Sequence, residues 1–111
     1  MKLEGPAKAL LVCIGESDHH EGKPLYVAIV EKAREAGLAG ATVQRGLMGF
    51  GAHSRIHTSH VLRLSEDLPV SILIMDSEDR VDGFLRELDE MIEEGVVATW
   101  PIHIELYRHS G

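Results

Sequence analysis

Residues 7–15 have the sequence AKALLVCIG, a run of apolar and β-prone residues that predicts a strand. Alternate side chains are apolar on both sides of this strand: Leu10, Val12 and Ile14 on one, and Leu11 and Cys13 on the other. A strand with one face in water would instead alternate apolar and polar residues. The pattern therefore predicts a strand that is covered on both faces.

The residues that follow complete a β-α-β unit. A polar loop, ESDHHEGK, leads to Pro24, which stands where a helix begins. An apolar residue then recurs every four positions, and Gly37 ends the helix. The alternating pattern of residues 41–48 predicts a second strand.

A second unit repeats this order. Residues 60–64 and 70–75 are predicted strands on either side of a turn at 66–69. Asp76 or Ser77 can cap the second helix, and Gly95 is predicted to end it. The apolar stripe of this helix comprises Val81, Phe84, Leu85, Leu88, Met91 and Ile92. A last strand is predicted over residues 102–107, where apolar and polar side chains alternate.

The element order predicts an α+β, ferredoxin-like βαββαβ fold, the split βαβ arrangement, with an antiparallel sheet and two helices on one face. The 111 residues fit one domain, 1–111. Two helices on one face leave the other face of the apolar strands bare, and soluble monomers rarely expose such a patch. We therefore expect other copies of the chain to cover it, the alternative being a mildly apolar face partly covered by the N-terminal tail.

Composition excludes several classes of protein. The single cysteine rules out a disulfide framework and suits the cytoplasm. A net charge of −7 disfavours binding to nucleic acid. There is no apolar run of about 20 residues to insert into a membrane and no signal peptide pattern, so we expect a cytoplasmic protein.

The stretch IGESDHHEGKPLYVAIVEKAREAGLAGATVQRGLMGFG, with the later SRIHT and LSEDLPV, resembles the bacterial and archaeal family named domain of unknown function 190. The resemblance covers roughly residues 8–106. That family is regarded as PII-like, so the resemblance implies a homotrimer with a long loop after the second strand. It further implies small ligands in clefts between subunits and a partner that is a membrane transporter, an ion channel or an enzyme.

The long loop carries most of the residues expected to bind a ligand. RGLMGFGAHSRIHTSH, residues 45–60, is rich in glycine, arginine and histidine, and residues 45–63 contain no acid. Glycines allow positive φ and close backbone approach, and guanidinium groups bind phosphate in a bidentate manner. We expect a small anion here, an adenine nucleotide being the favoured ligand. The predicted ligand-binding residues are Arg45, Gly46, Gly49, Gly51, Arg55 and His57, with Lys23 from the first polar loop. The alternative is a mobile loop whose glycines only turn the chain.

Two other functions stay open from the residues alone. Imidazole and carboxylate groups suit a divalent metal, and the candidates are His19, His20, His53 and His57. However, adjacent residues seldom bind one ion together, and no HExxH or CxxC motif is present, so no dedicated metal site is the main expectation. We expect no enzyme, because there is no G-x-S-x-G motif and Cys13 lies within an apolar strand. An interaction module without any ligand is the remaining alternative.

Overall fold

The computed structural model describes residues 3–49, 57–58 and 67–109, which form a four-stranded antiparallel sheet, two short two-stranded sheets and two helices. The predicted strand at 60–64 lies outside these residues. The elements are β1 Gly5–Gly15, β2 His19–His20, β3 Lys23–Pro24, α1 Leu25–Glu35, β4 Thr42–Arg45, β5 Met48–Gly49, β6 His57–Thr58, β7 Pro69–Asp76, α2 Glu78–Met91 and β8 Val96–Ile104.

The strand order of the main sheet is β4-β7-β1-β8, and all neighbours are antiparallel. β1 is central: it pairs with β7 from Lys8↔Asp76 to Gly15↔Pro69 and with β8 from Gly5↔Ile104 to Cys13↔Val96. This order confirms the ferredoxin-like α+β fold predicted from the sequence.

One face of the sheet carries both helices and forms the core. Leu10, Val12 and Ile14 of β1 are buried there. The remaining buried members of the core come from β7 and the two helices: Val70, Ile72, Ile74, Leu25, Ala28, Ile29, Ala33, Val81, Phe84, Leu88 and Met91. The four-residue spacing that predicts α1 is therefore the spacing of its buried face.

The opposite face of the sheet, here called the open face, is apolar. Residues that pair across an antiparallel sheet share a face, so the open face contains Leu11 and Cys13 of β1 with their partners on β7 and β8. Met75 is 50% exposed and Trp100 is 42% exposed on this face, although Ala9 between them is buried. In the described part of the chain, both helices pack on the other face.

Lys8 ties the start of β1 to the first turns of α2. Its Nζ lies 2.6 Å from Oδ1 of Asp82 and 3.9 Å from Oε1 of Glu78. The hydrogen bond to Asp82, followed by the attraction of the two carboxylates, raises the pKa of Lys8 above its usual value. Lys8 is therefore charged at neutral pH and holds the acidic N-terminal part of α2 against the sheet.

The C-terminal third differs from the sequence prediction in two boundaries. α2 ends at Met91 rather than at Gly95, because Ile92 has extended backbone angles (φ −104°, ψ 115°). The last strand is Val96–Ile104, not 102–107, because pairing with β1 begins at Cys13↔Val96. Gly95 has φ 143° and packs so closely that a Cβ would lie 2.7 Å from the carbonyl oxygen of Cys13. Gly95 therefore forms the entry to β8, not the end of the helix.

Two segments predicted as a loop and as one strand are also more structured than expected. The ESDHHEGK segment contains the β2–β3 hairpin, in which Glu21 (φ 49°) and Gly22 (φ 84°) form the two-residue turn. Positive φ at both positions is typical of a type I′ turn. The predicted strand over 41–48 is divided into β4 and β5, and β5 pairs with β6 inside the segment expected to be a loop.

The entry to α2 contains a buried carboxylate. Ser77 caps the helix as predicted, since its hydroxyl accepts from the Arg80 N–H at 3.4 Å. Asp76 is fully buried and accepts from two backbone N–H groups, that of Ser77 at 2.6 Å and that of Ala39 at 2.8 Å. Asp76 thereby joins the connection after α1 to the start of α2.

We predict that Asp76→Ala lowers the free energy of unfolding by about 2 to 4 kcal/mol, because it leaves two N–H groups without their acceptor. Urea unfolding at fixed protein concentration measures this loss. Asp89→Ala, which removes an exposed acid from α2, should change the free energy of unfolding by less than about 0.5 kcal/mol. Equal effects of the two substitutions would contradict a structural role for Asp76.

Candidate functional site

The candidate site lies where the loop after β1 meets both ends of the segment between β4 and β7. We call it the loop-base junction and define it by Glu16, Ser17, Arg45 and Asp67. Each of these residues contacts another member of the set. The junction thus brings Ser17 and Asp67, which are 50 positions apart in sequence, into contact.

Backbone hydrogen bonds hold the two ends of the 46–68 segment together. The Gly46 N–H donates to the Pro69 carbonyl at 2.7 Å, directly after the last β4–β7 pair, Arg45↔Val70. The Glu16 N–H donates to the Leu68 carbonyl at 2.8 Å. The loop after β1 is therefore fixed to the same short stretch of chain that closes the segment.

The carboxylate of Asp67 lies over the end of β1. Its Oδ1 accepts from the Ser17 N–H at 2.7 Å. A Cβ on Gly15 would lie 2.5 Å from Oδ2 of Asp67, so a side chain at this position would have to displace the carboxylate. Asp18 has partners within the chain: its carboxylate accepts from Gly15 N–H at 2.9 Å, and its carbonyl accepts from Leu25 N–H at 2.7 Å. Of the N–H groups at the start of α1, that of Leu25 is thus already bonded within the chain.

Arg45 contributes the positive charge of the junction. It stands on the edge strand β4, its side chain is 61% exposed, and its Nη1 lies 2.8 Å from Oε2 of Glu16. A guanidinium has five N–H donors, so this pair leaves donors of Arg45 for a further acceptor. Sequence analysis predicts Arg45 as a binding residue but gives no sign of Glu16, which is 29 positions away.

Lys23 is engaged elsewhere. Its Nζ lies 2.6 Å from Oε1 of Glu31 on α1. That hydrogen bond, and the attraction of the same carboxylate, raises the pKa of Lys23. Lys23 is therefore a charged residue next to the start of α1, and among its described contacts none is with the junction.

Gly46 and Gly49 both pack closely against the ring of Pro69. A Cβ on Gly46 would lie 2.7 Å from Cγ of Pro69, and one on Gly49 would lie 3.0 Å from the same atom. Neither residue has a positive φ, so the positive-φ explanation is wrong for both positions. Gly51, Arg55 and the side chain of His57 lie outside the described residues.

The histidines of the described residues do not assemble a metal site. His19 Nδ1 lies 2.6 Å from the Ser17 carbonyl oxygen, and His20 Nε2 lies 3.4 Å from Oε2 of Glu21. Within residues 3–49 and 67–109, no three His, Cys, Asp or Glu side chains converge on one point where a metal could bind. His53 and the His57 side chain lie outside these residues.

Comparison with known proteins identifies the family. Residues 7–104 match the model of the family DUF190, described as "Uncharacterized ACR, COG1993". The chain belongs to this family. It is 38% identical over 81 residues to a UPF0166 protein of Aquifex aeolicus, covering 73% of this chain and 77% of that protein. It is 32% identical over 99 residues to the UPF0166 protein MJ1524 of Methanocaldococcus jannaschii, covering 88% and 91% of the two chains.

The fold of this DUF190 chain is PII-like. It is similar to CPII, a nitrogen regulatory PII-like protein from Thiomonas intermedia K12 whose structure is bound to ADP, AMP and bicarbonate. The TM-score is 0.71 at 22% identity, and the match covers 95% of this chain and 92% of CPII. Neither helix in the described part of the chain has the length and apolar character that crossing a membrane requires.

We predict that Gly46→Ala lowers the free energy of unfolding by about 1 to 3 kcal/mol, since the added methyl group must displace Pro69. Thermal or urea unfolding checks this. Gly40→Ala is the matched control, because a Cβ at Gly40 meets no atom within 4 Å. If both variants were as stable as the original chain, the packing of Gly46 on Pro69 would not hold the junction.

Proposed function

We propose that this protein is a PII-like signalling subunit that forms a homotrimer and binds an adenine nucleotide in the clefts between subunits, next to Arg45. The observation that supports this most is the match of nearly the whole chain to CPII, a protein with ADP and AMP bound. The proposal assigns no catalytic step to the chain.

The apolar open face supports the assembly. Apolar side chains on both central strands and on β8 lie on the side away from the helices, with Met75 and Trp100 about half exposed. Burial of such a face against two other copies removes it from water. Cyclic closure is the common way for identical subunits to do this.

The position and charge of Arg45 support the ligand. β4 is an edge strand of the sheet. A neighbouring copy that covers the open face would therefore have its boundary close to Arg45. The guanidinium is exposed, and an exposed guanidinium suits the phosphate of a nucleotide. Gly46, Gly49, Gly51, Arg55, His57 and Lys23 stay predicted contributors to the same small-anion site.

In this proposal, a second protein binds the trimer and responds to the bound nucleotide. We propose a membrane transporter, an ion channel or an enzyme as the partner, in keeping with the PII-like fold. The junction fixes both ends of the segment after β4. A nucleotide bound at the junction would therefore change the conformation of this segment, and the partner would bind one conformation better than the other.

We predict that Met75→Glu dissociates the trimer into single chains while leaving the fold intact. The Met75 side chain is half exposed in one chain but would lie in the interface between copies. An unpaired carboxylate at this position would be buried there, which is costly. Light scattering coupled to size exclusion measures the number of chains per particle, and circular dichroism checks that the variant is folded. Ala36→Glu adds the same charge at an exposed position beyond α1 and should stay trimeric. A single-chain particle for the unmodified protein would refute the assembly.

We predict that at least one of AMP, ADP, ATP and cyclic AMP binds with measurable heat, and that Arg45→Ala weakens this binding at least tenfold. Loss of a charge-assisted bond to phosphate is expected to have an effect of this size. Isothermal titration calorimetry measures it, with Arg86→Ala on the exposed side of α2 as the control. Absence of heat with all four nucleotides, or unchanged binding by Arg45→Ala, would count against the proposed site.

A further inference from the structure

The acidic partner of Arg45 has a consequence for ligand affinity. The only described ion pair of this guanidinium is with Glu16, at 2.8 Å, and the Glu16 side chain is 30% exposed. We propose that Glu16 is an internal competitor of the anionic ligand: its carboxylate binds Arg45 in the ligand-free protein and weakens the binding of a phosphate there. This inference rests on the proposed nucleotide site at Arg45.

The pair is held by more than its two side chains. The backbone of Glu16 is bonded to Leu68, and Gly46, which follows Arg45, is bonded to Pro69. Glu16 and Arg45 are therefore anchored to consecutive residues of one stretch of chain. This anchoring holds the two backbones at a separation that the ion pair spans, so forming the pair costs no further backbone freedom.

Asp67 fixes the position of Glu16 from the other side. Its carboxylate accepts from the N–H of Ser17, the residue after Glu16, at 2.7 Å. The carboxylates of Asp67 and Glu16 thus occupy a backbone donor and a guanidinium donor that a phosphate could use. Two carboxylates already engage a junction proposed to bind an anion, and each disfavours a further negative charge nearby.

The expected effect on affinity is moderate and depends on salt. An exposed ion pair is weak, so its removal should tighten binding by about two- to fivefold. The gain should be largest at low ionic strength and shrink as salt screens the carboxylate. Glu16→Gln tests this most cleanly, because it removes the charge and keeps the size and the backbone of the residue.

The experiment is a calorimetric titration of ADP into five proteins at about 20 mM and about 300 mM NaCl, two ionic strengths with clearly different screening lengths. The proteins are the original chain, Glu16→Gln, Glu90→Gln, Arg45→Ala and the Glu16→Gln/Arg45→Ala double variant. Glu90→Gln removes one exposed negative charge from the end of α2 and so controls for net charge. We expect tighter ADP binding for Glu16→Gln, little change for Glu90→Gln, and a clearly smaller gain from Glu16→Gln once Arg45 is replaced, because only the direct repulsion by the carboxylate is then removed.

The outcomes separate this inference from the proposed function. If ADP binds through Arg45 but Glu16→Gln binds equally or more weakly, Glu16 is no competitor and the inference alone fails. If Glu90→Gln tightens binding as much as Glu16→Gln does, net charge explains the gain and the inference again fails. If ADP binds neither the original chain nor Glu16→Gln, the nucleotide site itself fails and the inference with it. Binding by Glu16→Gln alone would support both.

Discussion

The central position of β1 is the constraint on which the rest of the structure depends. β1 pairs with β7 on one side and β8 on the other, and its side chains are apolar on both faces. The helices bury only the face with Leu10, Val12 and Ile14. The two-sided strand therefore builds a core on one side and leaves an apolar surface on the other, which other copies of the chain are proposed to cover.

The same strand positions the loop-base junction. β1 ends at Gly15, opposite the start of β7 at Pro69, so the residues after β1 meet the residues before β7. β4 pairs with the same end of β7, which brings Arg45 to this place as well. The end of β1, the end of β4 and the start of β7 thus meet at one corner of the sheet. Local hydrogen bonds then decide which charges face one another there.

Local patterns predict the elements that are defined by their own residues. β1 follows from its apolar run, α1 from Pro24 and the four-residue spacing, and the cap of α2 from Ser77. β8 starts earlier than predicted, because residues 96–101 become a strand through their pairing with β1, which no local pattern contains. The division of 41–48 into β4 and β5 has the same cause, since β5 depends on its pairing with β6.

The site residues likewise divide into those that local sequence predicts and those that depend on distant contacts. Composition alone points to Arg45 and to the glycines, and close packing on Pro69 explains Gly46 and Gly49. Glu16 and Asp67 could not be predicted, because their partners lie 29 and 50 positions away and become neighbours only in the folded sheet. The role of Asp76 as a buried acceptor is likewise a product of folding, since Ala39 is 37 positions from it.

The most direct test of the account is native mass spectrometry of the intact protein with and without ADP, because one spectrum counts both chains and nucleotides in each particle. The account predicts particles of three chains, and in the presence of ADP up to three nucleotides per particle. Single chains that bind no ADP would contradict it, since neither the covered open face nor the site beside Arg45 would then exist.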